Sequence, residues 1–330
     1  MRLHLADSIY GDFEIREPVF SDLLKCPALD RLSGIDQGGY MRVHFPGSEH
    51  TRLEHSIGVF LLLRLYGASL EEQVAGLLHD ASHAVFSHAA DYGLDEGSGA
   101  RQDFQNRSHR GYILNSEVPE ILELYGFEVE RILDESNFTL LENELPDICA
   151  DRIDYMLRSA VHAGSIEARE AKAMFTDLHV EQGRWIFSSP GPAREFAELF
   201  AFVNHTLLSG FPSAVMLRTV GDALRKAMLI GAVSRKDLFT RDDLVLSKMR
   251  DAAGQDLEML ELWRRMNLEG PVCPDFSSTP QAVAELKSRM VDPLCLDETG
   301  NVARLSYIQP DWDERVRSES IVKRYGMRFA

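Results

Sequence analysis

The chain has 330 residues, and its 35 lysine and arginine residues against 52 aspartate and glutamate residues give a formal net charge of −17. A surface this acidic repels a polynucleotide backbone, which argues against DNA or RNA as a partner but leaves room for a small anionic substrate in a locally basic pocket. No apolar run is long enough to cross a bilayer and the N-terminus lacks a signal-peptide pattern, so we expect a cytoplasmic protein without membrane attachment.

The residues before the central part of the chain show mainly helical patterns. Ser69 is placed to cap a helix that carries glutamates in its first turn. In chain order, the patterns predict a hairpin over 8–15, a short helix over 18–32 that breaks near Pro27, a glycine-rich loop over 34–50, a buried helix over 52–66, and the helix that follows Ser69.

The central stretch over 77–88 reads LLHDASHAVFSH. It follows small apolar residues and contains no proline, so we expect a buried helix. On a helix, His79 and His83 share one face, Asp80 lies beside them, and His88 follows just over one turn later. Imidazole and carboxylate groups are costly in an apolar setting unless they are paired or bind a metal. A metal site explains this cluster better than a capped helix end that faces solvent.

The rest of the chain is predicted to be mainly helical as well. The polar stretch over 93–107 suggests a mobile loop that could cover a pocket. Helical patterns follow over 108–124, 128–135 and 145–161, then a hairpin over 174–188, a break at Pro190 and Pro192, helices over 193–232 interrupted at 210–212, and amphipathic helices to about residue 290. The predicted fold class is therefore all-α with a few short β-hairpins.

Three places in the sequence supply candidate metal ligands, namely His55, the pair His79–Asp80, and Asp151. Taken alone, His55 would more often be a core or capping histidine, and Asp151 a charge at a helix N-terminus. Together, two imidazoles and two carboxylates suit manganese, iron, cobalt, nickel or magnesium, with zinc as a further option. The four cysteines are far apart and form no C-x-x-C pair, which predicts neither a zinc knuckle nor a disulfide framework and fits a reducing compartment.

The ordered set His55, His79–Asp80 and Asp151 resembles the H…HD…D signature of the HD-domain metal-dependent phosphohydrolases. Further matches resemble the branch that contains the deoxynucleoside triphosphate triphosphohydrolases; they are Arg31–Leu32, Ile35, Gln37, 45–47, 52–59, 86–88 and 151–155. The resemblance covers roughly residues 5–165. It implies a helical HD core over residues 1–165 with the metal between its central helices, and we expect residues 166–330 to form a helical region that packs on this core.

The resemblance also implies roles for individual residues. His55, His79, Asp80 and Asp151 would be the metal ligands. His83, His88, Asp91 and His109 match a second set around the phosphate that is attacked, in which His83 and His88 hold phosphate oxygens. His109, oriented by Asp91, would protonate the leaving oxygen as general acid. Taken alone, His109 could also be an exposed histidine at the edge of a loop.

Four further matches concern the substrate. Arg52 and Arg152 would neutralise a triphosphate, Gln37 would read the sugar and Tyr155 would pack against it, although each could equally be a solvated or core residue. Departures from the family pattern fall in the part that reads the deoxyribose; they are Gly38, Ser159, Arg110 after His109, and the segment over 209–212. The metal and acid–base residues match the family, whereas the residues that read the sugar do not.

The resulting hypothesis is an enzyme that hydrolyses a (deoxy)nucleoside triphosphate to nucleoside and triphosphate by attack of a metal-activated water. The alternatives are a phosphatase of a nucleoside monophosphate or other phosphometabolite, and a non-catalytic nucleotide sensor. Cleavage of a cyclic dinucleotide is disfavoured because the G-Y-P extension of that branch is missing. We expect a homo-oligomer, with the helices after Ala193 as candidates for its interface, and no recognition module before the first hairpin.

Overall fold

The computed structural model describes residues 2–94 and 98–330. Its N-terminal part begins with a hairpin of two antiparallel strands, β1 (Leu3–Asp7) and β2 (Gly11–Ile15), and is otherwise helical. The helices are α1 (Pro18–Leu23), α2 (Pro27–Asp30), α3 (Met41–His44), α4 (Arg52–Leu65), α5 (Leu70–Leu78), α6 (Ala89–Leu94), α7 (Ser98–Arg101), α8 (Phe104–Leu114), α9 (Val118–Leu124), α10 (Val129–Leu133) and α11 (Ala150–His162).

The later part of the chain combines helices with two small sheets. Its helices are α12 (Ala168–Thr176), α13 (Pro190–Val203), α14 (Phe211–Leu229), α15 (Asp242–Ala253), α16 (Leu257–Met266), α17 (Leu305–Ile308) and α18 (Pro310–Glu319). Its strands are β3 (Leu178–Glu181), β4 (Arg184–Phe187), β5 (Val272–Pro274), β6 (Ala282–Leu286), β7 (Leu294–Leu296), β8 (Val302–Arg304) and β9 (Lys323–Phe329). The sheet orders are β3-β4-β7-β8, with β4 and β7 parallel, and β5-β9-β6, which is antiparallel.

Local sequence explains where helices α4 and α5 begin. Thr51 and Glu54 form a reciprocal capping box at the start of α4, and Ser69 accepts a hydrogen bond from the Glu72 amide at the start of α5. The two helices pack closely at Gly76, where a Cβ would overlap the side chain of Leu63. The predicted helix over 52–66 and the cap at Ser69 are therefore confirmed.

Two hydrophobic cores hold the fold together. The first surrounds α4, α5, α11 and α13 and includes Phe60, Leu157 and Trp312. The second surrounds α14, α15 and α16 and includes Phe86 and Met327. Each core contains residues from before and after position 165, so the C-terminal region packs directly on the N-terminal one.

The central motif differs from the predicted helix, because α5 ends at Leu78 and the chain continues in tight turns. A buried arginine from a distant segment holds these turns. The Arg31 guanidinium donates to the carbonyls of Ala81 and His83 at 2.7 and 2.6 Å, and these carbonyls would accept within a helix. Positive φ values at Phe86 and Ser87 complete the turn.

Two other expectations need correction. The predicted mobile loop over 93–107 contains helices α7 and α8 in its described residues, and residues 95–97 lie outside the described part of the chain. The amphipathic helices predicted up to residue 290 end at Met266, after which the chain forms strands. In β6, burial alternates along Ala282–Leu286 with the period of two that a strand requires. The mainly helical class is confirmed, but the sheet content is larger than a few hairpins.

Within residues 2–94 and 98–330, no single helix is long and apolar enough to cross a membrane. The bent pair Pro190–Leu208 and Phe211–Leu229 meets this criterion by length and composition alone.

Candidate metal centre

Four side chains from three segments converge on one point. His55 lies on the first turns of α4, His79 and Asp80 follow the end of α5, and Asp151 lies in the first turn of α11. Asp151 Oδ1 is 3.0 Å from His55 Nε2 and 3.4 Å from His79 Nε2. The Asp80 carboxylate is 3.5 and 3.6 Å from the same two nitrogens. The structure thus brings together the four residues that the sequence predicts as metal ligands.

The hydrogen bonds behind the two imidazoles show what this set is built to hold. His55 Nδ1 lies 2.8 Å from Asp154 Oδ2, and His79 Nδ1 lies 2.7 Å from the Gly76 carbonyl. Because both partners are acceptors, we assign the ring proton to Nδ1 in each histidine. In the neutral rings, the two Nε2 lone pairs then face each other at 3.2 Å, beside two carboxylates. Such a cluster of donor atoms suits a cation, so the residues fit a divalent metal ion.

The electrostatics of the site favour the same interpretation. Burial opposes ionisation of Asp80, but the Arg52 guanidinium and His79 outweigh it and hold the pKa of Asp80 well below its usual range. Burial likewise opposes a charge on His79, but attraction to Asp80 and Asp151 raises its pKa to about 10. The two carboxylates are therefore ionised near neutral pH, and their field attracts positive charge to the point where the ligand atoms meet.

An ion-pair chain outside the ligands orients His55. Asp154, which is fully buried, accepts from His55 and from the Arg158 guanidinium at 2.8–3.0 Å. Arg158 also donates to Asp7 at 2.9 Å. A Cβ at Gly58 of α4 would overlap both Asp154 and Arg158, so this position requires glycine. No motif in the sequence assigns a role to Asp154, although its i, i+4 spacing to Arg158 indicates an ion pair on one face of α11.

We expect an Asp154→Asn variant to bind the metal about 10–100-fold more weakly, because the neutral amide no longer fixes the tautomer and the orientation of His55. Calorimetric titration of the metal-free protein with Mn²⁺ measures this change. Asp12→Asn, at an exposed position of β2, is the control, and equal affinities for all three proteins would contradict the role of Asp154.

Most of the predicted site residues share one cavity of about 870 Å³, a size that suits a small ligand. Leu207, Met216 and Leu217 of the later helices form part of its apolar wall. The predicted residues that line it are Gln37, Arg52, His79, Asp80, His83, His88, Asp151, Arg152 and Tyr155. His55 lies behind this surface, and His109 is not among the described residues that line it.

The other predicted histidines lie close to the four converging side chains. His83 Nε2 lies 3.2 Å from Asp80, and its ring packs edge-on against His88. Asp91 lies 3.4 Å from His88 Nδ1, and its other oxygen accepts from the Phe104 amide at the start of α8. His109 instead contacts Ser82 at 3.3 Å. Asp91 is therefore placed to orient His88, and the orientation of His109 by Asp91 stays a prediction.

Both predicted arginines are held by carboxylates of the protein. Arg52, which is buried, donates to Asp80 at 2.5 Å and also to Ser87 and the Gln37 carbonyl. Arg152 pairs with Glu142 at 2.8 Å. Its guanidinium also lies 3.1 Å from Cys149 Sγ. Glu142, Cys149 and Asp151 form a second group of possible metal ligands, and Arg152 already supplies the positive charge beside it.

Three buried polar atoms that lack a hydrogen-bond partner within the described chain belong to residues of the cavity wall. They are Gln37 Oε1, the Tyr155 hydroxyl and His50 Nε2. Buried polar atoms are normally satisfied, so an unpaired set beside a cavity indicates a polar ligand. Gln37 and Tyr155 were predicted to contact the substrate, whereas His50 was missed because no motif marks it.

Comparisons with known proteins agree with this geometry. A family model for the HD domain matches residues 52–159. Uncharacterized protein YdhJ of Bacillus subtilis is 33% identical over 303 residues, 88% of each chain. Metal-dependent phosphohydrolase cns2 of Cordyceps militaris is 29% identical over 317 residues, 93% of this chain and 89% of that protein. Deoxynucleoside triphosphate triphosphohydrolase SAMHD1 of Danio rerio is 36% identical over only 100 residues, 26% of this chain and 16% of that protein.

Solved structures show the same fold. A phosphohydrolase from Bacteroides thetaiotaomicron superposes with a TM-score of 0.70 at 18% identity, covering 100% of both chains. A hypothetical protein from Aquifex aeolicus gives 0.71 at 19% identity, covering 100% of this chain and 96% of that one. With the histidine and aspartate ligands in place, this chain belongs to the HD-domain family of metal-dependent phosphohydrolases.

Proposed function

We propose that this phosphohydrolase hydrolyses a (deoxy)nucleoside triphosphate to nucleoside and triphosphate. The observation that carries the proposal is the arrangement of the 870 Å³ cavity, which joins the ligand cluster and His83–His88 to the unpaired polar atoms of Gln37, His50 and Tyr155. The first group suits a phosphate and the second suits the hydroxyls or ring atoms of a nucleoside.

A divalent ion held by His55, His79, Asp80 and Asp151 would supply an activated water and neutralise phosphate charge. The residues of the chain would do the remaining work. His83 and His88 would hold phosphate oxygens at the edge of the cluster, and Arg52 keeps Asp80 ionised and in place. The leaving sugar oxygen needs a proton. We assign this role to His88, which lines the cavity and is oriented by Asp91, in preference to His109.

A phosphatase acting on a nucleoside monophosphate or another phosphometabolite is the second candidate. It is favoured by the contacts of Arg52 and Arg152, since each is paired with a carboxylate of the protein and neither is free to neutralise a triphosphate. A non-catalytic nucleotide sensor would use the same cavity without turnover.

We expect the metal-loaded protein to release triphosphate and nucleoside from at least one triphosphate in a panel of ribo- and deoxyribonucleoside mono-, di- and triphosphates. The protein would be stripped, reloaded separately with Mn, Fe, Co, Ni, Mg and Zn, and its products separated by chromatography. Release of orthophosphate from a monophosphate would instead support the phosphatase proposal. No turnover with metal demonstrably bound would favour the sensor.

Self-association of this chain is a separate proposal. We propose a homo-oligomer that uses the helices after Ala193, and sedimentation velocity of the metal-loaded protein measures its state. A monomer across the accessible concentration range would contradict it.

A further inference from the structure

Two cations from the C-terminal region line the metal cavity. Lys287 directly follows strand β6 and Arg289 lies two residues later, and both share the cavity wall with Asp80 and Asp151. In the described part of the chain, neither forms an ion pair. The Arg289 guanidinium instead donates to the amide oxygen of Gln102 at 2.9 Å. This distinguishes the pair from Arg52 and Arg152, which carboxylates of the protein already neutralise.

The backbone between the two cations is held by a buried asparagine. Asn204 Nδ2 donates to Ser288 Oγ at 3.0 Å, and Asn204 Oδ1 accepts from the Arg289 amide at 3.0 Å. Ser288 Oγ in turn donates to the Glu319 carbonyl at 2.6 Å. Asn204 begins a π-helical turn, Asn204–Leu208, between α13 and α14. Such turns are rare and are frequently found at functional sites.

The electrostatic environment of the pair is unusual for this acidic chain. Partial burial, followed by the neighbouring Arg289 and Arg152, lowers the pKa of Lys287, and Glu142 opposes this shift. An anion placed between them would relieve the repulsion and satisfy donors that the protein leaves available.

We infer that Lys287 and Arg289 form a polyphosphate subsite, which binds the phosphate groups of the substrate beyond the one attacked at the metal. The inference rests on the proposed function in taking the substrate to be a nucleotide. It adds that the C-terminal region, outside the HD domain, selects substrates by the length of their phosphate chain. Arginine contributes a planar fork of donors and lysine a compact charge, and both are common ligands of phosphate.

The test measures the binding of inorganic tripolyphosphate and orthophosphate, with Mg²⁺ in excess over the probe, to the metal-loaded protein. The double variant Lys287→Met/Arg289→Met is compared with the control Arg235→Met/Lys236→Met, which removes the same charge from an exposed turn. We expect the first variant to lose about tenfold or more in affinity for tripolyphosphate, because two charge-assisted contacts are removed. The control and orthophosphate binding should change little. Thermal unfolding and circular dichroism of all three proteins establish that the variants fold.

Equal affinity of the wild type and Lys287→Met/Arg289→Met for tripolyphosphate would overturn the inference, and so would the absence of tripolyphosphate binding by the wild type. A failure of the proposed function has a different signature. If no nucleotide is hydrolysed but tripolyphosphate binding still depends on the pair, the subsite stands and the nucleotide assignment falls. If nucleotides are hydrolysed, the ratio of KM for a triphosphate to KM for the matching monophosphate should rise in the double variant; an unchanged ratio would reject the subsite.

Discussion

Replacing Asp151 with asparagine should remove the bound metal and lower turnover by about a thousandfold or more. The metal contributes several kcal/mol of charge stabilisation to the transition state, and the rate depends exponentially on the activation free energy. Asp151 Oδ1 lies 3.0 Å from His55 Nε2 and 3.4 Å from His79 Nε2. An amide at this position is a weaker ligand and carries no charge to attract the ion. Metal content by mass spectrometry and turnover of the best substrate measure the two effects together.

The bound metal should also raise the unfolding temperature of the protein. A chelator should lower the unfolding temperature of the wild type, because an ion present at about 100 times its Kd stabilises a protein by about 2.7 kcal/mol. The chelator should leave Asp151→Asn unchanged. Asp12→Asn is the matched control and should behave like the wild type. Full metal content with normal turnover in Asp151→Asn would contradict the assignment of the metal centre.

His88→Ala should lower turnover by about 10²–10⁴-fold while the metal remains bound, since this is the range for the loss of a positioned general acid. His88 lines the cavity and lies 3.4 Å from Asp91. Burial lowers the pKa of His88, and Asp91 opposes this shift. A phosphate bound beside the ring adds negative charge, which favours the imidazolium that a proton donor needs.

His109→Ala tests the competing assignment. We expect it to lower turnover less than His88→Ala does, because His109 contacts Ser82 and does not line the cavity. His4→Ala, at an exposed position of β1, controls for the loss of an imidazole. If His109→Ala proves the more damaging of the two with the metal retained, the proton donor is His109, as the family resemblance implied.

Much of the metal centre could be predicted from sequence, because its ligands depend on local patterns. His55 follows a capping box, His79–Asp80 ends an apolar helix, and Asp151 opens another. Helices and their caps depend on residues a few positions apart, so a single chain reveals them. The mainly helical class and the four candidate ligands therefore follow from the sequence.

The partners of charged side chains could not be predicted in this way. Arg52 is neutralised by Asp80 and Arg152 by Glu142. Each pairing depends on which segments meet in space and on the cost of leaving a buried charge unpaired. Arg52 and Asp80 lie 28 residues apart in the chain, and a spacing of this length does not indicate a contact.

The sequence by itself determined a mainly helical, acidic chain with two imidazoles and two carboxylates suited to a divalent metal. Only the tertiary structure decided that the chain leaves α5 in turns, in which the Ala81 and His83 carbonyls accept from Arg31. It also decided that the segment between Met266 and Met290 forms strands β5 and β6, and that Lys287 and Arg289, which follow β6, line the metal cavity. Short strands gain their stability from packing and from neighbours distant in sequence, so their place in the site is set by the fold as a whole.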